Sequence, residues 1–314
     1  MKNRKTDWFC FDFRSLGNIV KKEREPKRLK GINMLEFKED LTGKIPNKGF
    51  THGAKFHADD VFSTALLQIL NPKIQVERGL EVPQDFDGIV YDIGRGRFDH
   101  HQEDKEIREN GIPYAAFGLI WREYGNYILE EEEVQRFDEN FVQPLDESDN
   151  TGCDNVLAEV IEKFNPGWDE EQDYDACFWK AVAAAKDILE NEFRSVQGLG
   201  RAKAVVEKAM EENDGKVLIL PCYVPWKNQA IGSGYAFAVY PSNRGGYSVQ
   251  GVPKSKEDRS LVCDFPQEWW GKTPEQLSEL SGFSDFRFCH PTGFLASADT
   301  QETAIQIART ALLS

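Results

Sequence analysis

The five histidines of the chain all lie in three short motifs. The motifs are THGAKFHADD, RFDHHQ and FCHPTGF, and their histidines are His52, His57, His100, His101 and His290. Aspartates accompany the first two motifs: Asp59, Asp60, Asp92 and Asp99. Neutral imidazole and carboxylate together form the ligand set that suits manganese, zinc or iron. The sequence therefore predicts a metal-dependent hydrolase with its metal centre in the first half of the chain.

Predicted strands deliver these residues. A short strand ends near Thr51 and leads into the loop of His52, and residues 74–77 alternate as a second strand. Residues 88–91 form a buried apolar strand, with Asp92 at its carboxyl end. Ligands of open α/β sheets bind at that end of the strands, so Asp92 is expected at the site.

Predicted helices supply the remaining carboxylates. Apolar residues at helical spacing predict a helix over 61–70, and Asp59 and Asp60 fall in its first turn. Capping of free N–H groups is the alternative interpretation of those two aspartates. Further helices are predicted over 113–129 and 131–146.

The fourth metal carboxylate is expected beyond the second of those helices. Its apolar stripe, continued at the same spacing, turns Asp149 toward the interior and leaves Asp138 and Asp146 off the stripe. A buried aspartate needs a cation or a donor. Asp149 is the predicted ligand, and Asp146 is the alternative.

The pattern changes toward the C-terminus. Helices near 154–164 and 173–212 precede three strands in KVLILP, YAFAVYP and YSVQGVP, the last two joined by a turn at Gly245 and Gly246. A helix near 273–281, a strand in FRFCH and a last helix capped by Asp299 follow.

The expected fold is α/β: a parallel-sheet domain with helices on both faces, then a smaller α+β domain. At 314 residues, the chain exceeds the size at which one core keeps growing. The predicted boundaries are an N-terminal extension at 1–45, a metal-binding catalytic domain at 46–200 and a substrate-binding domain at 201–314.

Composition limits the partners. The net charge is 38 minus 53, or −15, which argues against broad electrostatic binding of nucleic acid. It leaves a phosphate substrate open, because bound metal ions reverse the local field. The basic run Lys21–Lys30 is interleaved with glutamates and is interpreted as a solvated face. Six dispersed cysteines, no signal peptide and no membrane-spanning segment predict a cytoplasmic protein that does not engage membranes.

The spacing of the first motif allows two neighbouring cations. His52 and His57 can surround one, while Asp59 faces the other and Asp92 bridges them. His100 and Asp149 would complete the second site. Two such cations clamp a phosphate for in-line attack by an activated water. The alternative is a single zinc held by His52, His57 and Asp92.

Other residues are expected to act on the substrate. His101 cannot easily share a metal with His100, because successive side chains of an extended segment point to opposite faces. His101 and Asp60 are the candidate catalytic residues, with a supporting hydrogen bond as the alternative for His101. The predicted substrate-binding residues are Arg97, Lys227, His290 and Gly293.

These motifs in this order resemble a known family. DHH at 99–101, the strand-end Asp92, the first motif and a later aspartate are similar to the DHH phosphoesterase superfamily. The ordered set of THGAKFHADDVF, RFDHHQ, PWK, YSVQGVP and HPTGF resembles more closely the Myg (melanocyte proliferating gene type) family, from about residue 49 to the C-terminus. HPTGF stands where the superfamily has a glycine-rich signature.

The resemblance implies a two-metal phosphodiesterase with exonuclease activity. His52, His57 and Asp92 would hold one metal, and Asp59, Asp92, His100 and Asp149 the other. Manganese is the expected metal, and zinc, iron and magnesium are the alternatives. Some superfamily members have an aspartate at the place of His57, and an imidazole there would shift the preference toward zinc or iron.

Three functional hypotheses follow. The first is hydrolysis of RNA or short oligonucleotides from one end; the second keeps the chemistry but takes a small phosphate ester, nucleotide or pyrophosphate. The third is a metal-holding regulatory protein without turnover. A homodimer is a further expectation.

Overall fold

The computed structural model describes residues 35–41, 43–213 and 215–314. The run Lys21–Lys30 and most of the predicted N-terminal extension lie outside the described residues, so their roles stay predictions. The described chain forms two compact units, and each is α/β or α+β as expected. The predicted fold class is therefore confirmed.

The first unit comprises the described residues through Glu212 together with Val224–Ser233. Its sheet has three parallel strands in the order β2-β1-β3. The strands are β1 (Lys48–His52), β2 (Gln75–Gly79) and β3 (Ile89–Val90). Their carboxyl ends therefore meet at one edge, as the sequence predicts.

The described residues of this unit form seven α-helices. They are α1 (Ala58–Leu70), α2 (Ala116–Tyr124), α3 (Glu131–Phe137), α4 (Gln143–Thr151), α5 (Val156–Glu162), α6 (Tyr174–Glu212) and α7 (Lys227–Ala230). Helix α1 packs against α2, α4, α5 and α6, and every one of its residues except Gln68 is buried. A helix that is buried on all sides is a core helix, so α1 fixes Asp59 and Asp60 inside the unit.

A π-helical turn at Asp138–Val142 joins α3 to α4. The sequence predicts one regular helix here, with Asp146 off the buried stripe. A π turn inserts an extra residue and rotates the helical residues beyond it. Asp146 is consequently buried and pairs with Arg108 at 2.7 Å, so the prediction of its position was wrong.

The second unit comprises Asn213–Tyr223 and Gly234–Ser314, described except for residue 214. Its sheet has the order β4-β5-β6-β8-β7, parallel between the first two strands and antiparallel elsewhere. The strands are β4 (Val217–Ile219), β5 (Phe237–Pro241), β6 (Tyr247–Gly251), β7 (Phe286–Cys289) and β8 (Leu295–Ala298). Its helices are α8 (Pro274–Ser281) and α9 (Gln301–Ala311), and a 3₁₀ turn lies at Gln267–Trp269.

Details of this unit refine the prediction. Gly245 and Gly246 have φ of 83° and 66° and form the expected turn between β5 and β6. Strand β8 was not predicted from the sequence. The cap of α9 is Thr300, whose hydroxyl accepts from the Thr303 N–H at 3.2 Å, and not Asp299. Asp299 instead lies 3.3 Å from Arg287.

The units divide after Glu212. Helix α6 is continuous over 39 residues, so the predicted boundary at 200/201 falls within it. Its buried positions continue as far as Ala209. Within the described part of the chain, no helix is long and apolar enough to cross a membrane.

Candidate metal centre

The first ligand group joins β1, α1 and the segment after β3. The Nε2 atom of His52 lies 3.2 Å from Asp92 Oδ2 and 3.3 Å from Asp60 Oδ2. Asp60 Oδ2 is buried and accepts no hydrogen bond from the described residues. Its other oxygen, Oδ1, accepts the His57 N–H at 2.9 Å. A buried carboxylate oxygen without a donor favours a cation at this place.

The second ligand group shares Asp92 with the first. The Nε2 atom of His100 lies 3.1 Å from Asp92 Oδ1, 3.3 Å from Asp149 Oδ2 and 3.9 Å from Asp59 Oδ2. Asp92 thus turns one oxygen toward each histidine. The structure brings together every residue of the predicted second metal site.

Hydrogen bonds orient both imidazoles. His52 Nδ1 lies 3.0 Å from the carbonyl of Gly53, which can only accept, so Nδ1 carries the proton. His100 Nδ1 lies 3.4 Å from Asn150 Oδ1, while the amide of Asn150 donates to the carbonyls of Tyr114 and Asp146. Each ring therefore directs Nε2 toward the carboxylates. This arrangement is characteristic of metal-ligating histidines, whose second nitrogen is held by an acceptor.

Backbone donors hold Asp59. Its two oxygens accept from the N–H groups of Ala116 and Phe117 at 3.0 and 2.7 Å, at the start of α2. Burial raises the pKa of Asp59 well above its usual value, and Asp92 and Asp149 add to the shift. The pKa of Asp149 is raised by burial and by Asp92. Several neighbouring buried carboxylates oppose one another's ionisation. A divalent cation bound between them would offset this repulsion and the cost of burying their charge.

The pKa values of the first group are shifted upward for His52 and Asp60 and downward for Asp92. Burial lowers the pKa of His52, but the Asp92 hydrogen bond and the Asp60 charge outweigh it and raise the pKa to about 9. Burial raises the pKa of Asp60 to about 7. Burial also disfavours the charge of Asp92, yet hydrogen bonds from His100 and His52 lower its pKa to about 2. A cation would replace the Nε2 proton of His52, so binding here would release protons.

His57 lies outside these groups of ligand atoms. It precedes α1 as its N-cap residue, and its ring centre is 5.9 Å from that of His52. His57 lines a cavity over these ligand groups, but Asp60 occupies the position beside His52 and Asp92 that the sequence assigned to His57. The predicted ligation by His57 stays a prediction. Asp146, the alternative fourth carboxylate, is engaged by Arg108 and by the Gly118 N–H.

His101 is held by the first residue of DHH. Asp99 Oδ1 lies 2.7 Å from His101 Nδ1, and 60% of the His101 side chain is exposed. The other oxygen of Asp99 accepts the Arg95 N–H at 2.6 Å. His101 Nδ1 is also 3.6 Å from Asp92 Oδ1, so His101 belongs to a third group with Asp92 and His100.

A cavity of about 970 Å³ opens over the ligand groups. Its lining includes three basic residues, Lys55, Arg95 and Lys105. Arg97, the predicted phosphate contact, pairs with Glu123 instead and is not part of the lining. By sequence, Arg95 and Arg97 both precede DHH and could neutralise phosphate charge, with a surface role at least as well supported for Arg95. Lys55 and Lys105 were not predicted, because no periodicity marks a loop residue that faces a cavity.

The remaining predicted substrate residues are not part of this cavity lining. Lys227 begins the short helix α7, within the first unit. His290 lies in the second unit, where its Nδ1 contacts Thr292 Oγ1 at 2.9 Å. The N–H of Gly293 donates to the His290 carbonyl at 2.8 Å, and its φ is 65°. A side chain at Gly293 would overlap the Trp270 indole, so this glycine has a packing reason independent of any anion.

The fold and the site together define an α/β protein with buried histidine–aspartate groups that could hold metal ions. The MYG1_exonuc family model, described as "Uncharacterised protein family (UPF0160)", matches residues 50–312. The chain therefore belongs to this family, as its motifs predict.

Proteins similar to this chain align with most of its length. The "MYG1 protein" of Dictyostelium discoideum is 27% identical over 311 residues, which cover 82% of this chain and 94% of that protein. The "MYG1 exonuclease" of Rattus norvegicus is 27% identical over 349 residues, covering 89% and 90%. The "MYG1 exonuclease" of Homo sapiens is 27% identical over 324 residues, covering 83% and 85%. No solved structure matches this chain.

Proposed function

We propose that the protein is a divalent-metal-dependent phosphodiester hydrolase that degrades RNA or short oligonucleotides from one end. The observation that carries this proposal is Asp92, a buried carboxylate shared by two histidine–carboxylate groups under one cavity. A carboxylate shared in this way can bridge two neighbouring cations, and paired cations are common in sites that hydrolyse phosphoesters.

The comparisons support a nuclease of some kind. Members of the family from Rattus norvegicus and Homo sapiens carry the name exonuclease. The resemblance of the motifs to the DHH phosphoesterases supports the same reaction class. RNA as the substrate and manganese as the metal are parts of our proposal.

Two sets of residues would each hold one cation, and a third set would bind the phosphate. His52, Asp60 and Asp92 would hold one cation, with His57 beside them, and Asp59, Asp92, His100 and Asp149 would hold the other. When bound, two such cations supply an attacking water of lowered pKa and offset the charge that develops on the phosphate. Lys55, Arg95 and Lys105 line the same cavity and would neutralise phosphate oxygens.

His101 is placed to move a proton. Because Asp99 engages its Nδ1, its Nε2 remains for the substrate. With both ring nitrogens protonated, His101 would donate the Nε2 proton to the departing nucleoside oxygen as its P–O bond breaks. The attacking water forms the new P–O bond and releases one proton to solvent, and solvent returns one proton to His101, so atoms and protons balance.

Cleavage of a 5′-labelled oligoribonucleotide tests the proposal. We expect shortening in the presence of Mn²⁺ that chelation stops, and a loss of at least about 10³-fold in His100→Ala. Asp104→Asn is the matched control, since Asp104 is exposed, close in sequence and outside the cavity lining. Intact substrate with every divalent cation tried would overturn the proposal.

A small phosphate ester or nucleotide is the second candidate substrate. The charge of −15 disfavours long polyanions, and the cavity volume lies within the range of small-ligand sites. Faster turnover of a dinucleotide or a nucleotide than of a long strand would favour this candidate. Cations bound firmly without hydrolysis of any phosphoester would instead support a metal-holding regulatory protein.

A further inference from the structure

We propose that Arg78 and Asn165, which lie outside the histidine–aspartate motifs, are positioning residues of the first ligand group. They hold the loop of residues 53–57, here called the His52 loop, which connects His52 to the start of α1. This inference rests on the proposed metal centre.

Asn165 bonds the His52 loop from 109 residues away. The N–H of Phe56 donates to Asn165 Oδ1 at 3.1 Å, and the Asn165 amide donates to the Phe56 carbonyl at 2.9 Å. One side chain thus satisfies both backbone groups of Phe56, the residue directly before His57. Such a paired contact fixes a backbone in place and orientation.

Arg78, at the end of β2, bonds the other half of the loop. Its Nη2 donates to the Ala54 carbonyl at 2.9 Å, and its Nη1 lies 2.6 Å from Asp175 Oδ1 on α6. Only 2% of the Arg78 side chain is exposed, and its guanidinium lies 4.0 Å from the Phe178 ring centre. A buried, stacked guanidinium is a rigid donor.

The His52 loop needs this support. Ala54 has a φ of 59°, a left-handed conformation that is unfavourable for a residue with a side chain and persists only where neighbours impose it. The loop begins at Gly53, whose carbonyl orients His52, and ends at the N–H of His57, which orients Asp60. Release of the loop would therefore displace two ligands of the first group.

The second ligand group has separate supports. Asp59 is bonded by the start of α2, and His100 by Asn150. Neither contact involves the His52 loop. Loss of Arg78 or Asn165 should therefore weaken one cation site and spare the other.

Calorimetric titration of the full chain with Mn²⁺ tests this inference. We expect two cations in the wild type, and in Asn165→Ala or Arg78→Met one site weakened about 10–100-fold with the other unchanged. Asn71→Ala is the matched control: Asn71 also bonds backbone carbonyls, but at the far end of α1, about 20 Å from Asp59. It should bind two cations like the wild type.

A metal-free readout separates positioning from general destabilisation. Above about pH 9, where the His52 ring of metal-free protein is neutral, its imidazole ¹⁵N shifts should report the Nδ1–H tautomer in wild type and control, and a mixture of tautomers in Asn165→Ala. Unchanged binding at both sites, or equal weakening of both, would overturn the inference while leaving the metal centre intact. A wild type that binds no divalent cation would overturn the proposed centre itself, and this inference with it.

Discussion

At the scale of single residues, Asn150 shows how a neutral side chain can decide what a histidine does. Its amide hydrogens are used by two backbone carbonyls, so only its oxygen faces His100. The same oxygen lies 3.4 Å from Lys105 Nζ. Because this acceptor keeps a proton on Nδ1, the Nε2 lone pair of His100 is available to a cation.

Replacing this acceptor should weaken the second ligand group. In Asn150→Ala we expect Mn²⁺ to bind about 10–100-fold more weakly at one site, and equally well at the other. Titration calorimetry measures both. Thr151→Ala, which removes a hydroxyl that bonds the Glu147 carbonyl on the same helix, should behave as wild type. Wild-type affinity in Asn150→Ala would show that Asn150 does not orient His100.

At the scale of elements, two carboxylates satisfy the start of α2. Asp59 accepts from the N–H groups of Ala116 and Phe117, and Asp146 accepts from that of Gly118 at 3.1 Å. Free N–H groups and the helix dipole both favour negative charge there. Asp146 can approach the backbone of α2 because Gly118 has no side chain. A Cβ atom at Gly118 would overlap Asp146 Oδ2 and crowd Arg108.

Gly118→Ala should therefore destabilise the fold. We expect a loss of about 2–4 kcal/mol in the free energy of unfolding, from overlap and from displacement of a buried ion pair. Urea unfolding measures it. Gly200→Ala on α6 is the matched control, because its Cβ would meet open space. Alanine there should be neutral or stabilise by up to about 1 kcal/mol. Equal stability of the two variants would contradict the packing argument.

At the scale of the whole molecule, buried charges link stability to pH. The pKa of His52 is raised to about 9 in the fold, so its stabilising contribution is complete below about 6.5 and lost as pH rises through 9. The pKa of Asp60 and that of Asp146 are raised by burial to about 7. Such carboxyls stabilise the fold below about pH 4, and this contribution is also lost as pH rises through 7.

Metal-free protein should accordingly lose stability from mildly acidic to alkaline pH. We expect His52 to account for about 1–3 kcal/mol of the loss between pH 6.5 and 9, and His52→Gln to flatten that interval. His290→Gln is the control, because that ring bonds Thr292 rather than carboxylates. Chemical unfolding with chelator across this range measures the slope. An unchanged slope in His52→Gln would refute the assignment.

The sequence by itself predicted the elements that carry the candidate ligands and the sheet edge at which these elements meet. Alternating or helical spacing predicts most strands and helices, and Asp92 at a strand end predicts the edge where ligands gather. The sequence of a short segment is enough to predict these features, because strand direction and helical period are properties of short segments. The same reasoning placed His100, Asp59 and Asp149 in one group, which the structure brings together.

Only the tertiary structure decided which candidate side chains come together at the site. It set Asp60 against His52, turned Arg95 rather than Arg97 to the cavity, and buried Asp146 through a π turn. It also brought Asn165 to the loop at Phe56, across 109 residues. Such choices depend on packing between distant segments, where a rotation of one helical residue changes the partner, and no local pattern encodes that rotation.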